Sequence, residues 1–145
     1  MIELRRYIAG DAGLVTPRAE LIAEATALDQ AFLDGRACPL GEAWTVTDRL
    51  EPIACGGLTP VWPGRFLAWT WIGSPSPRGW AAITHACERQ LTVAFENGAM
   101  RIEASTPVGL EAGGRWLERL GFQREGRARR YGPAGEDYWL YARVD

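Results

Sequence analysis

The sequence predicts an α+β domain in which helices flank one twisted, mostly antiparallel sheet. Three observations predict it. Phe66-Leu67-Ala68-Trp69-Thr70-Trp71-Ile72 is almost unbroken in apolarity, as a strand must be when it is central in a sheet and covered on both faces. Trp80, Ile83, Thr84, Cys87, Leu91, Ala94 and Phe95 recur at intervals of three, four and seven, which builds the stripe of a long helix. Turn and cap signals divide the rest of the chain into the order β-α-β-β-β-α-β-α-β-β.

Composition sets the bounds. The 145 residues fit one domain spanning 1–145, and 47% hydrophobic with 23% charged residues is ordinary for a globular protein with a sizeable core. A net charge of −2 gives no reason to expect nucleic acid or an acidic membrane as partner. No stretch is long and apolar enough to span a bilayer, and Met1–Arg6 carries Glu3, Arg5 and Arg6 where a signal peptide would be apolar. The expected compartment is the cytoplasm. Cys38, Cys55 and Cys87 are odd in number and lack metal-ligand spacing, so reduced thiols and no metal are expected.

The first strand covers Met1–Ile8, with Ile2, Leu4 and Tyr7 or Ile8 inward. Thr16-Pro17 opens a helix whose stripe is Leu21, Ile22, Ala25, Leu28, Phe32 and Leu33, with Glu20, Glu24 and Asp29 as a solvated face and Gly35 as the stop. Ala43–Thr47 alternates as a strand, and Asp48–Glu51 is a turn. Pro52–Leu58 is the paired strand, where Gly56-Gly57 implies a bulge or a close backbone approach. Thr59–Arg65, with Pro60 and Pro63-Gly64, reads as a turn into the central strand.

Gly73–Pro77 ends that strand. Ser76 is a good N-cap for the long helix, Pro77 suits its first position, and Asn97-Gly98 is a good stop. Gly79 and Ala81 keep the first turn small, with Arg78 beside them, and the free N–H groups of a helix N-terminus attract an anion such as phosphate. The plain alternative is a well-capped core helix. Met100–Ser105 is a short strand with Ile102 inward. Thr106-Pro107 reads as the start of a helix carrying Leu110, Gly113, Leu117 and Leu120 and ending at Gly121. Gly113-Gly114 inside it costs about 1 kcal/mol per glycine, which implies close packing on a strand or a ligand. Phe122–Tyr131 and Asp137–Val144 form a closing hairpin, with Tyr138, Leu140, Ala142 and Val144 on one face.

The segment Arg115-Trp116-Leu117-Glu118-Arg119-Leu120-Gly121-Phe122 resembles the last-helix signature of the GNAT N-acetyltransferase superfamily, in which a helix ends in Leu-Gly-Phe and a strand follows. Asp137–Arg143 is similar to that family's final strand, and Pro52–Gly57 to its third. The resemblance implies the GNAT fold, acetyl-CoA as acyl donor and an amine acceptor, whether a small molecule or a protein. In the family a Gln/Arg-x-x-Gly-x-Gly/Ala turn holds the pyrophosphate. Ser76-Pro77-Arg78-Gly79-Trp80-Ala81 keeps Gly79 and Ala81, but has Ser76 at the first position and a proline that lacks an N–H. The resemblance thus makes Ile72, Ser76, Arg78, Gly79, Trp80 and Ala81 the cofactor-binding set. It also implies that Gly79→Glu abolishes acetyl-CoA binding and leaves the fold intact.

Acyl transfer needs a base for the amine and an acid for the leaving thiolate. The family's tyrosine acid falls on Leu117, and the central strand has no carboxylate. Glu103 is the candidate base near the expected cleft; otherwise it is an exposed strand glutamate. Tyr131 and Tyr138 are rim tyrosines, and His85 reads as structural. Arg124, Arg127, Arg129 and Arg130 read as the guard of an edge strand, or as a patch for an acidic partner. A second function class is equally open at this stage. The chain resembles small GNAT-like proteins of tailed phages, which implies an inactive binding module, virion-associated or homodimeric, with Trp44 or Trp62 exposed as a partner surface.

Overall fold

The computed structural model describes residues 1–19, 34–37 and 41–145. The stripe expected over Leu21–Leu33 and Cys38 lie outside the described residues. The elements are β1 (Ile2–Arg6), α1 (Asp11–Leu14), β2 (Glu42–Asp48), β3 (Glu51–Trp62), β4 (Arg65–Ile72), α2 (Pro77–Glu96), β5 (Arg101–Pro107), α3 (Glu111–Arg119), β6 (Gln123–Ala128) and β7 (Tyr138–Val144). The seven strands form one sheet in the order β1-β2-β3-β4-β5-β7-β6. All neighbours are antiparallel except β4 and β5, which run parallel. The α+β class and the order of elements from β2 onward match the sequence reading; α1 is a short helix that the sequence reading did not place, since its first helix was expected from Thr16 on.

The two faces of β4 enter different cores. Phe66 and Ala68 pack with Leu58, Leu91, Ile102, Leu117, Phe122 and Tyr141, on the side covered by α2 and α3. Trp69 and Trp71 pack with Ala12, Val15 and Cys55 on the opposite side. A third cluster (Val46, Ala54, Ile72 and Ile83) continues under α2 with Trp80 and Trp116 beside it. The helix stripe read from the sequence is therefore the buried face of α2. Asn97 and Gly98 (φ 101°) end the helix as expected.

Three local expectations are corrected, and one with two alternatives is resolved. Strand β3 runs on through Pro60 to Trp62, and the turn comes at Pro63-Gly64, where Gly64 takes φ 87°. Pro60 is tolerated because β2 stops pairing at Leu58, so this end of β3 is an edge, and the ladder shifts register between Pro60 and Trp62. Gly56 and Gly57 sit in a continuous register, so of a bulge or a close approach it is the close approach that holds; the bulge of this hairpin lies at Ile53 of β3, opposite Val46 and Thr47. What they allow is close approach: a Cβ on Gly56 would meet the Trp69 carbonyl at 3.0 Å, and one on Gly57 would meet the Glu42 carbonyl at 2.6 Å. Thr106 and Pro107 finish β5 rather than opening a helix; α3 starts after Leu110 with no side-chain cap. Leu4, expected inward, is exposed on the edge strand β1; of Tyr7 and Ile8, Tyr7 is the one that packs inward, against Trp69.

The paired glycines of α3 serve packing on strands. A Cβ on Gly113 would collide with Thr106 of β5, and one on Gly114 would come 2.7 Å from the Tyr141 hydroxyl of β7. Below α1, Asp11 is held by both guanidinium nitrogens of Arg5 (2.7 and 2.9 Å), the Thr45 hydroxyl (2.6 Å) and the Ile8 N–H (2.9 Å). This cluster ties β1, α1 and β2 together.

Candidate active-site cleft

Strands β4 and β5 pair only over Arg65–Leu67 and Arg101–Glu103. Beyond that root they diverge, and Thr70 is left exposed in what is otherwise the central strand, as is Leu67 at the root's last pair. A cavity of about 720 Å³ fills the split and reaches both faces of the sheet. On the helix side its walls include Ile72, Trp80, Ile83, Cys87 and Trp116. On the other side they include Trp69, Ser105, Pro107, Tyr131 and Tyr138. Past the root, β4 has no ladder partner on its β5 side, so its backbone groups there are open to a linear ligand with amides of its own.

A tryptophan pair joins the two helices over the cleft. Trp80 of α2 and Trp116 of α3 meet edge to face at 5.8 Å, and the Trp116 Nε1–H donates to the Thr84 hydroxyl at 3.0 Å. The Arg18 guanidinium stacks on Trp80 at 5.3 Å, and its buried Nε has no hydrogen-bond partner. Arg18 also lines the cavity. The sequence reading missed Arg18. No local pattern marks it, since it reaches Trp80 only through the fold.

Of the residues expected to bind a cofactor, Ile72 and Trp80 line the cavity; Ser76, Arg78, Gly79 and Ala81 do not. The turn is also more closed than the sequence suggests. Pro77 has no N–H, the Gly79 N–H donates to Ser76 Oγ at 3.1 Å, and the Trp80 N–H donates to the Ser76 carbonyl at 2.9 Å. Gly79 is small because of packing: a Cβ there would lie 2.9 Å from Pro75 Cβ and 3.3 Å from Ile53 Cδ1. Gly79→Glu is therefore not a clean probe of binding. It is expected to destabilise the fold by about 1–3 kcal/mol or more through overpacking, read as a lower melting temperature without any ligand.

Glu103 is also placed differently from its expectation. It accepts from Arg65 (2.9–3.1 Å) and from Arg101 Nε (3.1 Å), at the root of the split and off the cavity wall. Arg101 in turn binds Glu125 on β6. Among the described residues no aspartate or glutamate lines the cavity. Leu117, at the position of the family's tyrosine, is buried in the main core and contributes no hydroxyl.

Apart from Arg36, the remaining lining chemistry is neutral. Tyr131 and Tyr138 pack with ring centroids 5.1 Å apart, Tyr131 exposed and Tyr138 buried. Cys55 and Cys87 both line the cavity, and burial pushes each thiol up to about 12, which keeps them protonated and unreactive. His85 is exposed. Trp44 is half-buried on the cavity wall rather than at a partner surface; Trp62 is exposed, with the Arg65 guanidinium 4.4 Å over its ring. Arg124 and Arg127 flank Trp139 at 4.0 and 5.3 Å along the edge strand β6. Among the described residues no cluster of three metal-ligating side chains occurs, and no helix is long and apolar enough to cross a membrane.

No family model and no curated protein matches the chain. Solved structures do. A ribosomal-protein-S5-alanine acetyltransferase from Vibrio fischeri superposes with a TM-score of 0.72 at 17% identity, over 99% of this chain and 92% of that one. The ribosomal-protein-S18-alanine N-acetyltransferase from Escherichia coli gives 0.72 at 15% identity, over 99% and 94%. An acetyltransferase of the GNAT family from Streptococcus pneumoniae gives 0.71 at 15% identity, over the whole of both chains. With its split sheet and crossing helices, the chain has the fold of the GNAT N-acetyltransferases.

Proposed function

We propose that the chain is an acyl-CoA-dependent N-acyltransferase that moves an acetyl group from acetyl-CoA to an amine. The observation that carries this reading is the cavity through the sheet. It gives a donor on the α2–α3 side and an acceptor on the other side a common meeting point between β4 and β5. Acetyl-CoA supplies an activated thioester there when it is bound. The unpaired backbone of β4 from Ala68 onward holds the donor's amides, Ile72 and Trp80 pack along it, and the apolar walls exclude water. Arg18 is the cation for its phosphates, in place of the capped first turn of α2, with the exposed Arg78 nearby in sequence. The amine proton passes to solvent water at the open end of the cavity, where Ser105 and Tyr131 are exposed, the departing CoA thiolate takes a proton from the same solvent, and Glu103 pins the root of the split rather than acting as base.

Calorimetric titration with acetyl-CoA tests the reading. Micromolar binding is expected; no heat at millimolar acetyl-CoA overturns it. Arg18→Ala is expected to weaken acetyl-CoA about tenfold, the order of one charge-assisted contact. S-acetylpantetheine, which lacks the phosphates, should bind both proteins alike.

A second reading keeps the cavity and drops the chemistry: a GNAT-fold binding module, phage-derived and virion-associated or homodimeric. Leu117, and a wall without carboxylates among the described residues, favour it. Cofactor binding with no turnover of any amine would select this reading.

A further inference from the structure

On its helix side the cavity runs on into the main core. The helix-facing residues that follow the Phe66–Ile102 pair are Ala68 of β4 and Ala104 of β5, one on each lip of the split. Ala68 pairs with Leu58 of β3 and Ala104 with Tyr141 of β7, so both lie in the row that backs α2 and α3. Both side chains are single methyls, and both residues are only half-buried although they pack against fully buried core residues. Cys87 of α2, in the same cluster, is half-buried too. Core positions this deep are close-packed unless open space reaches them. That space is the cavity, whose wall here is Leu58, Ala68, Leu91, Ala104, Leu120 and Phe122.

This inner end carries no charge among the described residues. Leu117 lines it without a hydroxyl, the Cys87 thiol stays protonated, and Gln90 of α2 is a neutral polar neighbour. The two charged groups of the described wall lie elsewhere. Arg18 stacks on Trp80 near the start of α2, and Leu91 is about 16 Å further along that helix by its rise per residue. The Arg36 carbonyl accepts from Thr59, whose neighbour Leu58 faces the helices, so Arg36 belongs to the opposite face of the sheet. A donor that enters past Arg18 and Trp80 and follows β4 toward the root therefore carries its acyl end into an uncharged, apolar space.

Building on the acyl-transfer reading, we propose that this inner end is an acyl pocket for an apolar chain longer than acetyl, such as butyryl or hexanoyl, and that such an acyl-CoA is the better donor. The single methyl of an acetyl group leaves the alanine-lined space unfilled, whereas each further methylene moves from water onto an apolar wall. The bond changes are those of acetyl transfer. The amine nitrogen attacks the thioester carbonyl carbon, the C–N bond forms as the C–S bond breaks, the amine proton leaves to solvent and the CoA thiolate takes one back. Only the alkyl group on the carbonyl differs.

Calorimetric titration of the full chain with acetyl-, butyryl-, hexanoyl- and succinyl-CoA is the test. A buried methylene is worth about three- to fourfold in affinity, so butyryl-CoA should bind about tenfold tighter than acetyl-CoA, and hexanoyl-CoA at least as tightly as butyryl-CoA. Succinyl-CoA is as long as butyryl-CoA but ends in a carboxylate. It should bind more weakly than acetyl-CoA, because the pocket offers that charge no partner among the described residues. Ala104→Leu puts an isobutyl group into the space and should bring the ratio of butyryl to acetyl affinity to one or below. If that variant does not fold, the four wild-type titrations decide alone. Acetyl-CoA binding as tightly as butyryl-CoA, succinyl-CoA matching butyryl-CoA, or a gain that survives in folded Ala104→Leu each overturns the proposal. A wild type that binds none of the four overturns the acyl-transfer reading instead.

Discussion

Asp11→Ala is expected to lower the unfolding free energy by about 3 kcal/mol, a large share of what a domain of this size has. The substitution strands the Arg5 guanidinium, the fully buried Thr45 hydroxyl and the Ile8 N–H at once. Burial alone would raise the Asp11 pKa, but the bonds from Arg5, Thr45 and the Ile8 N–H outweigh it and hold the carboxyl at about 2, below its usual 3.8. A folded value below the unfolded one means that the stabilisation is full above about pH 4 and is lost as pH falls through about 2. The wild type should therefore lose about 2 kcal/mol over that window from this group. Urea unfolding between pH 2 and 6 checks both statements, and Asp11→Asn should show a flatter acid limb.

Ile102→Ala is the second large effect. Ile102 has no exposed surface and sits at the root of the split, in the three-residue ladder that joins β4 to β5. It packs in the core formed with Leu91 of α2 and Leu117 of α3. Removing its outer carbons should cost about 2–5 kcal/mol, depending on how far the helices settle into the void. Denaturant midpoints measure the loss. Because the same contact fixes the angle between the two strands, acetyl-CoA affinity measured well below the melting temperature should fall as well.

The fold was legible where burial is written into periodicity. The apolar run of β4, the stripe of α2 and the Leu120-Gly121-Phe122 ending each depend on residues close in sequence, and each lies where it was expected. Errors came where tertiary context overrides a local signal. Pro60 reads as a break, yet is accommodated where β2 has ended. Gly79 reads as an opening for a ligand, yet is small because Pro75 and Ile53 press on it. The site was harder still. Glu103 looked available because its partner Arg65 is 38 residues away. Arg18 meets Trp80 only once the sheet has assembled.

The short ladder between β4 and β5 has a mechanical consequence. The sheet is in effect two smaller sheets, β1–β4 and β5–β7–β6, sharing a seam three residues long on each strand. A molecule lying in the gap bonds to one half and packs on the other, so it acts as the missing length of seam. Opening of the seam and release of that molecule are then one event. Slow amide exchange along both of its lips would report occupancy as directly as any assay of turnover.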